Sequence, residues 1–315
     1  MKTVEIVKKD ILDSLKELPP KYYTAFLEGV FRARAELNLS RTGVALELST
    51  DDLRLAEEVG NILLKLGVED IVIEKHVRTT AFEKVYVSLR LSSADTHMIF
   101  EKCGMSLTSY GIPDGLSDIV KKDFEASTAF LKGLFAASGR LSIPERGKKS
   151  QGYHLELQMS SENDCREVIE LLSATDIAPR ASMVKRNLYY SVYVKSKDEI
   201  SDFVAAMGSN SVVLKLQDII MERELINRLN REENCNNANL DKIVNAGTEM
   251  ILHIKKIDEK IGLKSLPSPL YETALARLEH PELSMSELLG FLDNPPTKSG
   301  LQHRFKKIKS IAEKL

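Results

Sequence analysis

"TAFLEGVF" at residues 24–31 returns as "TAFLKGLF" at 128–135, 104 residues later and with six of the eight letters unchanged. The likeness extends outward from both copies. "VALELST" (44–50) follows the first and "YHLELQMS" (153–160) the second, their shared "LEL" offset by 109, so the second copy holds five extra residues in its intervening loop. "AEEVGNILLKLGV" (56–68) and "CREVIELLSATDI" (165–177) keep that offset. "KVYVSLRL" (84–91) matches "YSVYVKS" (190–196), and both alternate and are rich in Val and Tyr, as half-buried strands are. The pattern predicts an α+β domain of two αββαββα repeats, related by a pseudo-two-fold and carrying one sheet each.

In each leading segment Phe26, Leu27, Val30 and Phe31, or Phe130, Leu131, Leu134 and Phe135, form an apolar stripe at helical spacing. Gly29 and Gly133 interrupt those helices. A mid-helix glycine costs up to ~1 kcal/mol against alanine, so a position that keeps it twice points to close backbone approach. The expectation is that the two helices pack glycine to glycine and join the halves. The plainer reading is two unrelated glycines on amphipathic helices.

Composition frames the rest. The 315 residues are 43% hydrophobic and 29% charged, with a net charge of −2, which excludes a uniformly basic nucleic-acid coat but not a local basic face. Cys103, Cys165 and Cys235 stand far apart without a CxxC pair or companion histidines, a pattern of reduced thiols rather than a zinc site. No stretch approaches the roughly 20 apolar residues of a membrane helix, and the first residues lack a signal-peptide core. The expectation is a soluble, cytoplasmic protein without membrane, metal or cofactor.

From Ser211 the sequence changes to helices without strand signal. "SVVLKLQDIIMERELINRLNRE" (211–232) and "LDKIVNAGTEMILHIKKIDEKIGL" (240–263) are two amphipathic runs flanking "NCNNAN" (234–239). Asparagine side chains compete with the helical backbone, so the cluster predicts a turn; the alternative is a set of amides that contact nucleic acid. "GLKSLPSP" (262–269) marks a boundary. The expected division is 1–105 and 106–209 for the two halves, 210–265 for a helical linker and 266–315 for a terminal module.

In that module "SPLYETALARLEH" (268–280) predicts one helix, and Ser284 with Glu287 opens a second with capping-box spacing. "DNPP" (293–296) is a turn, and Thr297 is the expected N-cap of the last helix, "TKSGLQHRFKKIKSIAEKL" (297–315). Leu301, Phe305, Ile308, Ile311 and Leu315 mark its apolar face. From Pro296 onward six Lys or Arg stand against one acid, which concentrates positive charge on this helix. Helix, short turn and basic helix is the layout of a helix-turn-helix, whose second helix enters the major groove of duplex DNA. Lys298, Ser299, Gln302 and His303, near the helix N-terminus, are the candidates for base edges; Arg304, Lys306, Lys307 and Lys309 are the candidates for phosphates. For His303 an ordinary surface role is an equal alternative.

Both ends resemble known families. "FLEGVFRARA" and "FLKGLFAASG" are similar to degenerate copies of the LAGLIDADG motif of homing endonucleases, in which an acidic residue near the motif's end binds a divalent cation. Aligned on the glycines, those positions hold Arg34 and Ser138, and Glu36 has no acidic counterpart at Leu141. Neither residue replaces a carboxylate, so no catalytic residue or metal is expected. With "NRLNREENCNNANLDK" (227–242), "GLKSLP" (262–267), "LARLEHPELSMSELL" (275–289) and the last helix, nearly the whole chain resembles the bacterial WhiA family. That resemblance implies a DNA-binding transcription regulator linked to sporulation, cell division and chromosome segregation. It also implies a terminal domain similar to the DNA-reading region of sigma factors.

The sheets read differently in the two halves. Segment 43–91 has nine acidic and six basic residues, and 143–197 has seven and nine. Arg146, Lys148, Lys149, Arg180, Lys185 and Arg186 are the candidates for a backbone contact there. A platform for a sigma factor, RNA polymerase or the division machinery is the other reading of this domain. The alternative function is a residually active nuclease or an RNA-binding maturase-like protein.

Overall fold

The computed structural model describes residues 2–41, 43–79, 83–107, 112, 114–144, 152–187 and 189–315. Arg146, Lys148 and Lys149 lie outside the described residues. Packing divides the chain into two compact units, Met1–Glu222 and Arg223–Leu315.

The first unit repeats one architecture. After α1 (Thr3–Ser14) come α2 (Tyr23–Arg34), β1 (Ala35–Ser40), β2 (Gly43–Thr50), α3 (Leu53–Lys65), β3 (Ile71–Thr79), β4 (Glu83–Leu91) and α4 (Ser93–Lys102). A short helix α5 (Asp118–Lys122) leads into α6 (Phe124–Ser138), β5 (Arg140–Ser142), β6 (His154–Met159), α7 (Glu162–Ala174), β7 (Ser182–Lys185), β8 (Tyr190–Val194) and α8 (Lys197–Ala206). The sheets are antiparallel, in the orders β1-β2-β4-β3 and β5-β6-β8-β7. Polar caps start the helices: Asp52, Ser92, Ser117, Asp123, Ser161 and Ser196 each accept a backbone N–H of the following turn.

The central pair is α2 against α6. Phe26, Leu27, Val30 and Phe31 and their counterparts Phe130, Leu131, Leu134 and Phe135 are fully buried. A Cβ built on Gly29 would lie 2.1 Å from the Phe130 carbonyl oxygen, and one on Gly133 would lie 2.1 Å from that of Phe26. Each glycine thus meets the partner helix's backbone about a turn before the opposing glycine. One core runs from this pair through both sheets and includes Cys103 and Cys165. Burial pushes the Cys165 thiol up to about 12, and Cys103 is raised further by the same cause, while Cys235 is exposed.

The sheet register refines the repeat. Leu48 pairs with Leu89, and Leu157, its equivalent at the offset of 109, pairs with Val192. The equivalent positions of β4 and β8 are therefore Ser88 and Ser191, both buried, rather than the two "VYV" triplets. The strands correspond; their letters slide by four.

The expected turn at "NCNNAN" is not there. A single helix α9 runs from Asn210 to Ile261 through all six residues. The strongest helix breakers, glycine and proline, are absent between Gly208 and Gly247, and no residue there has a positive φ. The asparagines are exposed, so water satisfies their amides, and each lowers helix propensity by only ~0.5 kcal/mol. Val212, Leu216, Ile219 and Ile220 belong to the first core and Ile254 and Ile257 to the second. Gly262, at φ +75°, ends the helix in the conformation that glycine adopts without strain. Among the described residues no helix is long and apolar enough to cross a membrane.

The second unit adds α10 (Ser268–Glu279), α11 (Met285–Leu288), continued by a 3₁₀ turn to Phe291, and α12 (Lys298–Lys314). Leu270, Ala274, Leu288, Leu292, Leu301, Phe305, Ile308 and Ala312 form their shared core.

Candidate nucleic-acid interface

The last helix is held in register by its N-terminal turn. Thr297 Oγ1 accepts the Gly300 N–H at 3.2 Å, and the Ser284–Glu287 capping box fixes the start of α11. The α11–α12 connection is tied to α10, because Glu272 accepts the Asp293 and Asn294 N–H groups at 2.7 and 3.5 Å. Leu301, Phe305, Ile308 and Ala312 face the core. The opposite stripe, Lys298, Ser299, Gln302, His303, Lys306 and Lys307, is exposed and spans the first three turns.

The eight candidates fall into two groups. Lys298, Gln302, His303, Lys306 and Lys307 present side chains to solvent from one face, joined by Ser299, whose hydroxyl lies 3.0 Å from that of Thr297. Arg304 and Lys309 are engaged within the unit. Arg304 Nη1 donates to the Pro269 carbonyl at 3.3 Å and to Thr273 Oγ1 at 3.2 Å, and lies 3.9 Å from Glu272. Lys309 Nζ donates to Glu249 Oε1 at 2.5 Å, which raises the lysine's pKa and lowers that of the glutamate. These two cations fasten α12 to α10 and α9. Glu249 and Glu272 carried no signal in the sequence, since acids on exposed helix faces are common. Arg277 did carry one: it occupies an apolar-stripe position after Leu270, Thr273 and Ala274, and it is buried.

In the first unit, the ends of α2 and α6 hold what remains of the motif positions. Arg34 is exposed, and its Nε donates to the Ala137 carbonyl at 3.2 Å. Ser138 is buried; its hydroxyl donates to the Leu134 carbonyl and accepts the Gln158 N–H. A guanidinium and an engaged hydroxyl are not ligands for a hard divalent cation, so the donor set does not fit the metal of cleaving LAGLIDADG proteins.

The sheet faces away from the helices differ in charge. On the first, Glu36 stands opposite Glu47, and Glu47 accepts from Asn38 (2.7 Å) and Arg90 (3.2 Å), with Glu74 3.6 Å from Arg90. His76 stacks on Tyr86 and bonds Ser88 at 2.8 Å. The second face carries a hollow of about 190 Å³ lined by His154, Glu156, Val184, Arg186, Tyr193 and Lys195. Arg186 and Lys195 are exposed there; Lys185 lies over the Tyr190 ring on the other face, and Arg180 is paired with Glu199.

Two LAGLIDADG-like halves on a shared helix pair, followed by a helix-turn-helix, define the class of protein. Three family models agree: a LAGLIDADG-like domain matches residues 21–104, the WhiA LAGLIDADG-like domain 127–226, and the WhiA C-terminal HTH domain 229–312. The chain is 31% identical over 293 residues to "Probable cell division protein WhiA" of Lactiplantibacillus plantarum, covering 92% of each. It is 30% identical to the protein of that name from Lactobacillus johnsonii over 97% of each chain. The chain belongs to the WhiA family. The crystal structure of full-length DUF199/WhiA from Thermatoga maritima shares its fold, at TM-score 0.56 and 23% identity over 99% of this chain and 98% of that one.

Proposed function

We propose that the protein is a sequence-specific DNA-binding regulator of cell division, with roles in chromosome segregation or sporulation, that reads duplex DNA through α12. The reading rests on one observation: the exposed stripe Lys298, Ser299, Gln302, His303, Lys306 and Lys307 lies on the N-terminal half of a capped helix whose other face is core. Lys306 and Lys307 supply the phosphate contacts, and Lys298, Ser299, Gln302 and His303 reach base edges. Arg304 and Lys309 hold the helix in place. The family relatives carry a cell-division name. The LAGLIDADG-like domain is non-catalytic and serves a partner such as a sigma factor, RNA polymerase or a division protein, or an auxiliary DNA contact through its more basic second sheet. The site of action is the cytoplasm, at the nucleoid.

Binding sites selected from genomic fragments by the purified protein provide the probe for the test. Lys306→Ala and Lys307→Ala should each make the slope of log K against log salt shallower by about 0.9, on specific and nonspecific DNA alike. Gln302→Ala should leave the slope unchanged and cost about 1–3 kcal/mol at particular base pairs. Retention of full sequence-specific affinity after truncation at Pro295 would move the reading to the sheets of the first unit. Incubation of DNA with Mg²⁺ or Mn²⁺ should give no cleavage, because Arg34 and Ser138 stand where carboxylates are needed. Specific cuts abolished by a chelator and by Glu36→Gln would overturn the non-catalytic reading.

A further inference from the structure

Within the second unit a half-open cavity of about 320 Å³ lies between α9, α10, the start of α11 and α12. Ile243, Ala246, Met250, Leu283, Met285 and Phe305 supply its apolar wall, with Lys242 at the rim. Gly247 lets α9 come close to the α10–α11 connection, since a Cβ there would lie 2.7 Å from the Pro281 carbonyl oxygen. The size and the mostly apolar lining suit a small organic molecule, for which pockets of about 300–1,000 Å³ are usual.

Besides the exposed Lys242 and the Ser284 of the α11 cap, the polar residue of the lining is Arg277, 4% exposed. Its Nη1 donates to the carbonyls of His280 (3.3 Å), Pro281 (3.3 Å) and Leu283 (2.7 Å), all neutral acceptors. Its Nε is buried without an acceptor, and the guanidinium lies 5.4 Å from the centroid of the Phe305 ring. Glu282 contributes a favourable charge nearby, but among the described residues no carboxylate is hydrogen-bonded to this arginine. A buried cation ordinarily has an anionic partner, and a donor left unsatisfied in the interior costs about 1–3 kcal/mol. The Nε edge of a guanidinium is the one that takes a carboxylate side-on, through two parallel hydrogen bonds.

We propose that this cavity is a binding site for a small amphipathic carboxylate, whose apolar body lies along Ile243, Met250 and Phe305 and whose carboxylate completes the bonding of Arg277. The site is separate from the DNA-reading stripe: Phe305 points inward from α12 while Gln302 and Lys306 point outward. A ligand there touches the buried side of the DNA-reading helix, so its binding and that of DNA are linked reciprocally wherever they favour different arrangements of that helix.

Calorimetric titration of the full chain with octanoate, 4-phenylbutyrate and the neutral octanol tests this. One saturable site per chain is expected for at least one carboxylate. Octanol should bind at least about tenfold more weakly than octanoate, the factor that a lost charge-assisted hydrogen bond leaves. Ala246→Phe fills the cavity from an exposed wall position, so it should abolish binding without lowering the thermal midpoint. Absence of saturable binding by both carboxylates overturns the proposal. So does octanol binding as tightly as octanoate, or unchanged binding in Ala246→Phe.

Discussion

Gly29→Ala is expected to destabilise the duplicated domain by about 3 kcal/mol, although alanine is the better helix former by up to ~1 kcal/mol. The added Cβ would sit 2.1 Å from the Phe130 carbonyl oxygen and 2.7 Å from the Leu134 nitrogen, both backbone atoms. No rotamer change relieves that contact, so α2 and α6 must move apart. Separation opens gaps beside Phe26, Phe31, Phe130 and Phe135, all fully buried, and the dispersion lost across many atom pairs adds to the strain. Gly133→Ala should cost a similar amount, because its Cβ meets the Phe26 carbonyl oxygen at the same distance. The double variant should cost less than the sum, since helices already apart accommodate the second methyl more easily. Gly152→Ala is the control: nothing lies within 4 Å of its Cβ, and it should be close to neutral. Urea-dependent labelling of Cys103 and Cys165 reports this domain selectively, because both thiols are buried in its core. Midpoints unchanged in both glycine variants would sink the close-packing account.

The same pair of residues shows how far the sequence could be read. A letter repeat, a glycine kept twice and an apolar stripe are local patterns, and they specified the two halves and the helices that join them. Capping followed the same logic, with Thr297 and the Ser284–Glu287 box at the ends where they were expected. Where the reading erred, a local signal was outweighed by its surroundings. The asparagines of 234–239 have turn chemistry, but continuous helix on both sides and exposure to water leave their preference too weak to break α9. The "VYV" triplets look equivalent, yet the β2–β4 and β6–β8 registers align Ser88 with Ser191, because strand register follows the buried face and not the letters. On the candidate interface, the sequence identified the basic helix but not which cations are free. Lys309 is bound by Glu249, 60 residues earlier, and Arg304 by Thr273. Such pairings arise only when the chain has folded.

The largest of these long-range pairings links the halves through one arginine, and Arg32→Met is expected to cost about 3–5 kcal/mol, the range for breaking a buried ion pair from one side. Arg32 Nε donates to Glu28 Oε1 at 2.9 Å, and Nη1 donates to both carboxylate oxygens of Asp164, 132 residues away, at 2.9 and 3.0 Å. Arg32 Nη2 also donates to the Gly115 carbonyl. The side chains of Arg32, Glu28 and Asp164 are at most 5% exposed. The two acids in turn fix the connection between the halves, as Glu28 accepts the Ser117 N–H and Asp164 the Gly115 N–H, both at 2.9 Å. The repeat gives no warning of this cluster, because the equivalents of Glu28 and Arg32 in α6 are Lys132 and Ala136. Methionine keeps the length and apolar bulk of arginine but leaves two carboxylates buried without their cation. Adding Glu28→Gln and Asp164→Asn to Arg32→Met should recover much of the urea-unfolding deficit, because neutral amides leave no uncompensated buried charge, a rescue that lost packing alone would not give. A deficit below about 1 kcal/mol, or no recovery in the triple variant, would show that the cluster is not the clamp between the halves.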